Sequence, residues 1–202
     1  MKEGIIKFNI TNWIKVPNLS KRIWGGIESS RKELYKLELI GYDEINKVGY
    51  GNISERYNEN EFVITASQTG QIISLGEENF SIILLADFDR NSVVCYGPAK
   101  PSSESITHAA CYYNNSLINA VIHVHSRFLW EKLYNESCYS TPEDAEFGSI
   151  ELSKAIAKIM KNALLDEPCL VVMKGHQDGI IVAGKSIEEA TNYLLDIYNS
   201  YK

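Results

Sequence analysis

Leu117-Ile118-Asn119-Ala120-Val121-Ile122-His123-Val124-His125 is an apolar run that closes on two histidines. It predicts a strand whose side chains alternate between faces, so His123 and His125 share one face at the strand exit. Two imidazoles placed in this way can converge on one cation, and neutral imidazole is a common ligand for zinc and related metals. Two histidines at a strand end can equally be no more than polar rim residues, so the rest of the chain has to decide.

Working outward, a helix is predicted just after Pro101, where Ser102 or Ser103 can cap it and Ile106, Ala109, Ala110 and Tyr113 follow. Downstream, residues 127–134 read as a short helix and residues 147–165 as a longer one with a broad apolar stripe. Residues 169–173 and 179–182 are two apolar strands around a polar turn, and residues 186–198 form a closing helix that begins Ser-Ile-Glu-Glu. Upstream, residues 4–16 hold a short strand interrupted by Pro17, and residues 19–39 approximate helical spacing with Asn18 or Ser20 as a cap. Gly25-Gly26 is expected to divide that helix into two pieces. Residues 51–57, 62–65, 81–88 and 93–96 are strands, with breaks at 58–61 and 89–91 that favour antiparallel pairing. The order predicts an α/β chain of three α/β/α layers around a central, mainly antiparallel sheet.

The 202 residues suit one well-buried core, and 45% apolar with 23% charged residues is ordinary globular composition. A net charge of −6 gives no basic footprint for nucleic acid. No apolar stretch approaches the roughly 20 residues that span a bilayer, and Met1-Lys2-Glu3-Gly4 does not open a signal segment, so a cytoplasmic protein without membrane partners is expected. Cys95, Cys111, Cys138 and Cys169 are scattered without a Cys-x-x-Cys pair, which favours reduced, buried thiols.

If the histidine pair is a metal site it needs a third ligand, and only His108 and His176 remain. His176 lies in a polar turn between two strands, where it is either a ligand or an exposed side chain. His108 follows Glu104 by four residues on the predicted helix, so the two share a face and His108 suits a supporting place behind the site. Pro101-Ser102-Ser103-Glu104 offers hydroxyls, backbone amides and a helix dipole to an anion, or serves only as a cap. Gly51-Asn52-Ile53-Ser54 and Ser67-Gln68-Thr69-Gly70 pose the same choice between anion cradle and simple turn.

Taken in order, these stretches resemble the class II aldolase/adducin family. The likeness runs from about Gly41 to the C-terminus and rests on Gly51-Asn52-Ile53-Ser54, Ile64-Thr65-Ala66-Ser67-Gln68-Thr69-Gly70, Pro101-Ser102-Ser103-Glu104 with His108, His123-Val124-His125, Phe147-Gly148-Ser149-Ile150-Glu151-Leu152, and His176 ahead of Gly179-Ile180-Ile181-Val182 and Ser186-Ile187-Glu188-Glu189-Ala190. It implies one domain over residues 1–202, in which residues 1–40 are a strand and helix extension outside the motif-bearing region. It also implies His123, His125 and His176 as ligands of Zn²⁺ or another divalent metal, and Glu104 as the acid/base residue. Asn52, Thr69, Gly70, Ser102 and Ser103 would surround the substrate phosphate.

The activity implied is retro-aldol cleavage of a small, phosphorylated ketose by a homotetramer. A dehydratase with the same metal and Glu104, or a non-catalytic adducin-like domain, are the alternatives. The epimerase branch carries aspartate where Glu104 stands, which points away from that reaction. Two features differ from the family pattern. Residues 126–146 are fewer than in the sugar-phosphate aldolases, where this segment supplies a tyrosine to the neighbouring site, and neither Tyr134 nor Tyr139 matches it. Gln177-Asp178 also separates His176 from Gly179, where glycine usually follows directly, so a bulge or a longer hairpin is expected there.

Overall fold

Residues 5–164 and 166–202 are described in a computed structural model of the chain; Gly4 and Leu165, the outer ends of two predicted elements, lie outside them. The elements run β1 (Asn9–Lys15), α1 (Lys21–Lys36), β2 (Gly41–Asp43), β3 (Val48–Tyr50), β4 (Asn52–Arg56), β5 (Phe62–Thr65), β6 (Phe80–Asp87), β7 (Ser92–Gly97), α2 (Ser105–Asn114), β8 (Ala120–His125), α3 (Arg127–Leu133), α4 (Ile150–Asn162), β9 (Cys169–Val172), β10 (Gly179–Gly184) and α5 (Ile187–Ser200). Eight strands form one sheet in the order β1-β7-β6-β5-β4-β8-β10-β9, and β2 pairs with β3 in a separate hairpin. Every neighbouring pair of the large sheet is antiparallel except β1 with β7. This is the expected layered α/β arrangement.

Alternation along β8 divides the interior into two cores. Ala120, Ile122 and Val124 face a core shared with Trp24, Ile27 and Leu34 of α1, Leu129 and Leu133 of α3, and Ile187, Ala190 and Leu194 of α5. Val121 faces the other core, with Ile106, Ala109 and Ala110 of α2 and Leu152, Ile156 and Met160 of α4. His123 and His125 have the parity of Val121, so they continue the face that α2 covers. The sheet therefore aims the histidine pair toward the helix that follows Glu104.

Several elements depart from expectation. α1 passes through Gly25-Gly26 unbroken. Two helical glycines cost about 2 kcal/mol, whereas burying Trp24, Ile27 and Leu34 contributes about 1.5–3 kcal/mol each, so packing wins. Trp24 also stacks on Phe80 at 5.1 Å between ring centroids. Ser20 precedes α1 without a side-chain cap bond. α4 spans only Ile150–Asn162, because Ser149 caps its start by accepting from Leu152 N and the chain turns extended at Ala163. The β2–β3 hairpin has no counterpart in the predicted pattern. Cys95, Cys111 and Cys169 are buried free thiols, as expected, but the free thiol of Cys138 is exposed. Burial pushes the Cys169 thiol up to about 12. No helix among the described residues is long and apolar enough to cross a membrane.

Candidate metal centre and its surroundings

His123 and His125, two residues apart on β8, bring their Nε2 atoms to 3.1 Å. His176 joins them from the turn between β9 and β10, with ring centroids 5.1 Å from His123 and 4.8 Å from His125. One nitrogen from each of the three lies within 4.8 Å of the other two. The two residues Gln177-Asp178 between His176 and Gly179 do not carry His176 away, because the connection is the longer hairpin. Met173 N donates to Gly179 O at 3.0 Å and Gly179 N to His176 O at 2.9 Å. Asp178 takes up the extra length in the left-handed region at φ 66°, a conformation that aspartate tolerates better than most residues. Ser126 N donates to Asp178 O at 2.9 Å, which ties this turn to the end of β8.

The donor set fits a divalent cation. His123 Nδ1 lies 3.1 Å from the carbonyl oxygen of Ile180. A carbonyl can only accept, so Nδ1 carries the hydrogen and the Nε2 lone pair is directed at the other histidines, as in most histidine metal sites. Nitrogens about 2.0–2.1 Å from one zinc at tetrahedral angles stand about 3.4 Å apart, close to the observed His123–His125 separation. Gly179 keeps the space clear. A Cβ there would lie 3.3 Å from Cε1 of His123 and 3.2 Å from Cγ of His176.

Glu104 is buried beside this cluster, its Oε1 3.7 Å from Nδ1 of His176. Its position corrects the expected cap. α2 begins at Ser105 with Glu104 in the cap position and no side-chain cap bond, so neither Ser102 nor Ser103 caps the helix. Ser102 instead builds the turn: its carbonyl accepts from Ser105 Oγ at 2.7 Å and its Oγ from Glu104 N at 3.3 Å. The Glu104 carboxylate lies beside His176 rather than on the helix end.

Behind Glu104 by one helical turn, His108 is fully buried. Its Nδ1 lies 2.6 Å from Ser54 Oγ, which is 2.7 Å from the Tyr112 hydroxyl. The three groups form one buried chain in which the imidazole tautomer sets the direction of both hydrogen bonds. Burial pushes His108 down to about 3, which keeps it neutral at any ordinary pH.

The residues proposed around a phosphate are distributed over three adjoining strands of backbone. Asn52 opens β4 directly opposite His123, and its buried Oδ1 has no hydrogen-bond partner among the described residues. Gly51 before it sits at φ 74°, where a Cβ would reach within 2.7 Å of Ile40 and 3.1 Å of His123 O. The 66–70 turn and the 100–103 turn are joined by Ser67 N to Lys100 O at 2.9 Å and Ser102 N to Thr65 O at 3.2 Å. Thr69 spends its hydroxyl hydrogen on Ala66 O at 2.9 Å. Gly70 packs under the small hairpin: a Cβ would collide with Gly41 O at 2.1 Å.

A cleft of about 1000 Å³ opens over the histidines, lined among others by His125, His176, Gln68, Tyr50, Asp43 and Asp178. Glu104, Asn52, Thr69, Gly70, Ser102 and Ser103 do not line it; all six are buried. Tyr50 and Asp43 escaped the sequence reading because they belong to the short hairpin; Tyr50 lies 5.7 Å from His125 between ring centroids. Phe147 packs against His176 at 5.0 Å and its carbonyl accepts from Lys7 Nζ at 2.6 Å.

Comparison with known proteins bears on the family and the fold. Residues 36–130 match the family model described as the class II aldolase and adducin N-terminal domain. An L-fuculose phosphate aldolase of Methanococcus maripaludis is 30% identical over 164 residues, 74% of this chain and 81% of the relative. A 3-oxo-tetronate 4-phosphate decarboxylase of Haemophilus influenzae is 35% identical over 81 residues, 40% of this chain and 35% of the relative. Among solved structures, L-fuculose-1-phosphate aldolase from Thermus thermophilus superposes with a TM-score of 0.63 at 17% identity, covering 90% of this chain and 92% of that one.

Proposed function

The chain belongs to the class II aldolase and adducin family, and from that membership we propose that it is a divalent-metal-dependent lyase that cleaves a small, phosphorylated ketose by a retro-aldol reaction. The observation that carries this reading is the convergence of three histidine nitrogens with the buried Glu104 carboxylate at their side. His123, His125 and His176 would hold the metal, which the reading takes to be Zn²⁺. A divalent cation held by three neutral ligands supplies Lewis-acid polarisation of a substrate carbonyl.

The protein's own groups do the rest. Retro-aldol cleavage takes the proton from the carbinol hydroxyl, breaks the bond between that carbon and the one beside the ketone to release an aldehyde, and leaves on the ketone fragment an electron pair that gains a proton in turn. Glu104 exchanges a proton with that fragment, acting from a buried site where a carboxylate is shielded from bulk water. Asn52, Thr69, Gly70, Ser102 and Ser103 hold the phosphate and so fix the distance between the reacting carbon and Glu104. A binding-only domain gains nothing from a carboxylate buried against three histidines, since burying a charge without use is costly. The same reading makes the protein a cytoplasmic homotetramer, in keeping with its scattered, unpaired cysteines.

Decarboxylation is the second reading, favoured by the partial match to the Haemophilus relative. Both reactions break a carbon–carbon bond near a carbonyl, so one site serves either. The test is metal analysis of protein purified without chelator, followed by incubation with L-fuculose 1-phosphate. About one zinc-like ion per chain and aldehyde release that chelator abolishes and zinc restores are expected. Metal-free protein whose melting is unmoved by added zinc would sink both readings. Carbon dioxide release from 3-oxo-tetronate 4-phosphate without aldehyde formation from the ketose would select the second.

A further inference from the structure

Arg31, on the helix that precedes every motif of the site, is 1% exposed and gives its guanidinium to the backbone of a distant loop. Its Nη2 donates to Thr69 O at 3.0 Å and Ile72 O at 2.7 Å, and its Nη1 to Ile73 O at 3.4 Å. One turn earlier, buried Glu28 grips the same loop from its other end, accepting from Leu75 N at 2.9 Å and Ser74 Oγ at 3.1 Å. α1 thus clamps residues 69–75 with two buried charges of opposite sign. If this position needed only to be filled, an apolar side chain would do it without desolvating a guanidinium. What an arginine adds is the orientation of peptide planes, because its rigid fork satisfies several carbonyls in fixed directions.

We propose that Arg31 is a positioning residue for a substrate anion, acting by setting the direction of the Gly70 N–H. No cis peptide bond occurs among the described residues, and across a trans peptide the carbonyl and the following N–H point in opposite directions. With Thr69 O turned onto Arg31, the Gly70 N–H is aimed away from α1. On that side stands Gly49 of β3, where a Cβ would come within 3.0 Å of Gly70 N. A side chain at position 49 would crowd the amide, whereas glycine lets the hairpin backbone pack against this peptide. The clamp and the missing side chain act on the same N–H from opposite sides. The inference rests on the reading of Thr69 and Gly70 as part of the phosphate site, and it makes α1, which lies outside the motif-bearing region, part of the substrate-binding machinery.

The probe is inorganic phosphate, titrated calorimetrically into zinc-loaded wild type, Arg31→Gln, Arg31→Lys and Glu28→Gln at one ionic strength. Arg31→Gln is expected to weaken phosphate binding about tenfold or more, as for loss of a hydrogen bond to a charged group. Arg31→Lys and Glu28→Gln shift it less and in the same direction, while zinc stoichiometry stays that of the wild type. With L-fuculose 1-phosphate as substrate, KM rises in parallel with the loss of phosphate affinity. Should Arg31→Gln not fold, the two milder variants decide. Unchanged phosphate affinity in folded Arg31→Lys and Glu28→Gln overturns the proposal, as does a wild type that binds no phosphate. Absence of metal-dependent cleavage by a wild type that does bind phosphate counts against the lyase reading instead, and the titration still decides on Arg31.

Discussion

Gly179 stands directly opposite His125 across the β10–β8 ladder, so the residue that faces one histidine has no side chain to offer it. A Cβ at this place would meet His176 O at 2.9 Å as well as the rings of His123 and His176. Glycine is needed here for room, since the ring atoms of two histidines already occupy the space that a methyl group would take.

Gly179→Ala is therefore expected to displace the His176 and His123 rings by a few tenths of an ångström and weaken zinc binding about ten- to a hundredfold, the scale on which groups supporting metal ligands act. Competition against a chromophoric chelator measures it. An affinity equal to wild type would show that the rings do not depend on this clearance.

Glu104→Gln preserves shape and removes only the ability to exchange a proton. Loss of about 10²- to 10⁴-fold in kcat, the usual contribution of a positioned acid or base, is expected while one metal ion per chain is retained. Turnover that survives the change moves the proton transfer to another group.

His108 predicts a pH dependence of stability. Its folded value is pushed down to about 3 by burial, whereas in the unfolded chain histidine titrates near its ordinary value, about 6.5. The unfolded state therefore binds the proton first as pH falls. The stability of the neutral, buried form is fully present above about 6.5 and declines by about 1.4 kcal/mol per pH unit between there and about 3. Urea midpoints of metal-free wild type should fall more steeply from pH 6.5 to 4.5 than those of His108→Gln, in which the other three histidines titrate alike. Parallel profiles would contradict a neutral His108 in the core.

Much of this architecture can be read from local pattern, and the exceptions share a cause. The alternation through Val121, His123 and His125 gives both the strand and the common face, and Ser186 caps α5 as its sequence suggests, its Oγ accepting from Glu189 N at 3.1 Å. α1 ignores its two glycines because Trp24 and Ile27 are held by the sheet, an effect of tertiary packing that no window of sequence contains. Strands β2 and β3 are three residues each, too short for a period of two to show. The Arg31 contacts join residues roughly forty positions apart, and nothing in the neighbourhood of either partner announces the other. For the site, the histidines and Glu104 are conspicuous by residue type, whereas Tyr50 and Asp43 reach the cleft only through the unannounced hairpin.

β8 lies between β4 and β10, paired with β10 over Ala120–His125 and with β4 over Ala120–His123. Two of the three histidines thus ride on a paired strand, His123 between both ladders and His125 on the one to β10, while the third rides on a turn closed by a few bonds around Met173 and Gly179. Native-state opening follows that difference, since turns separate at lower free energy than central strands. On the metal-binding reading proposed above, ion affinity would rest chiefly on the strand pair and the rate of ion exchange on the opening of residues 174–178.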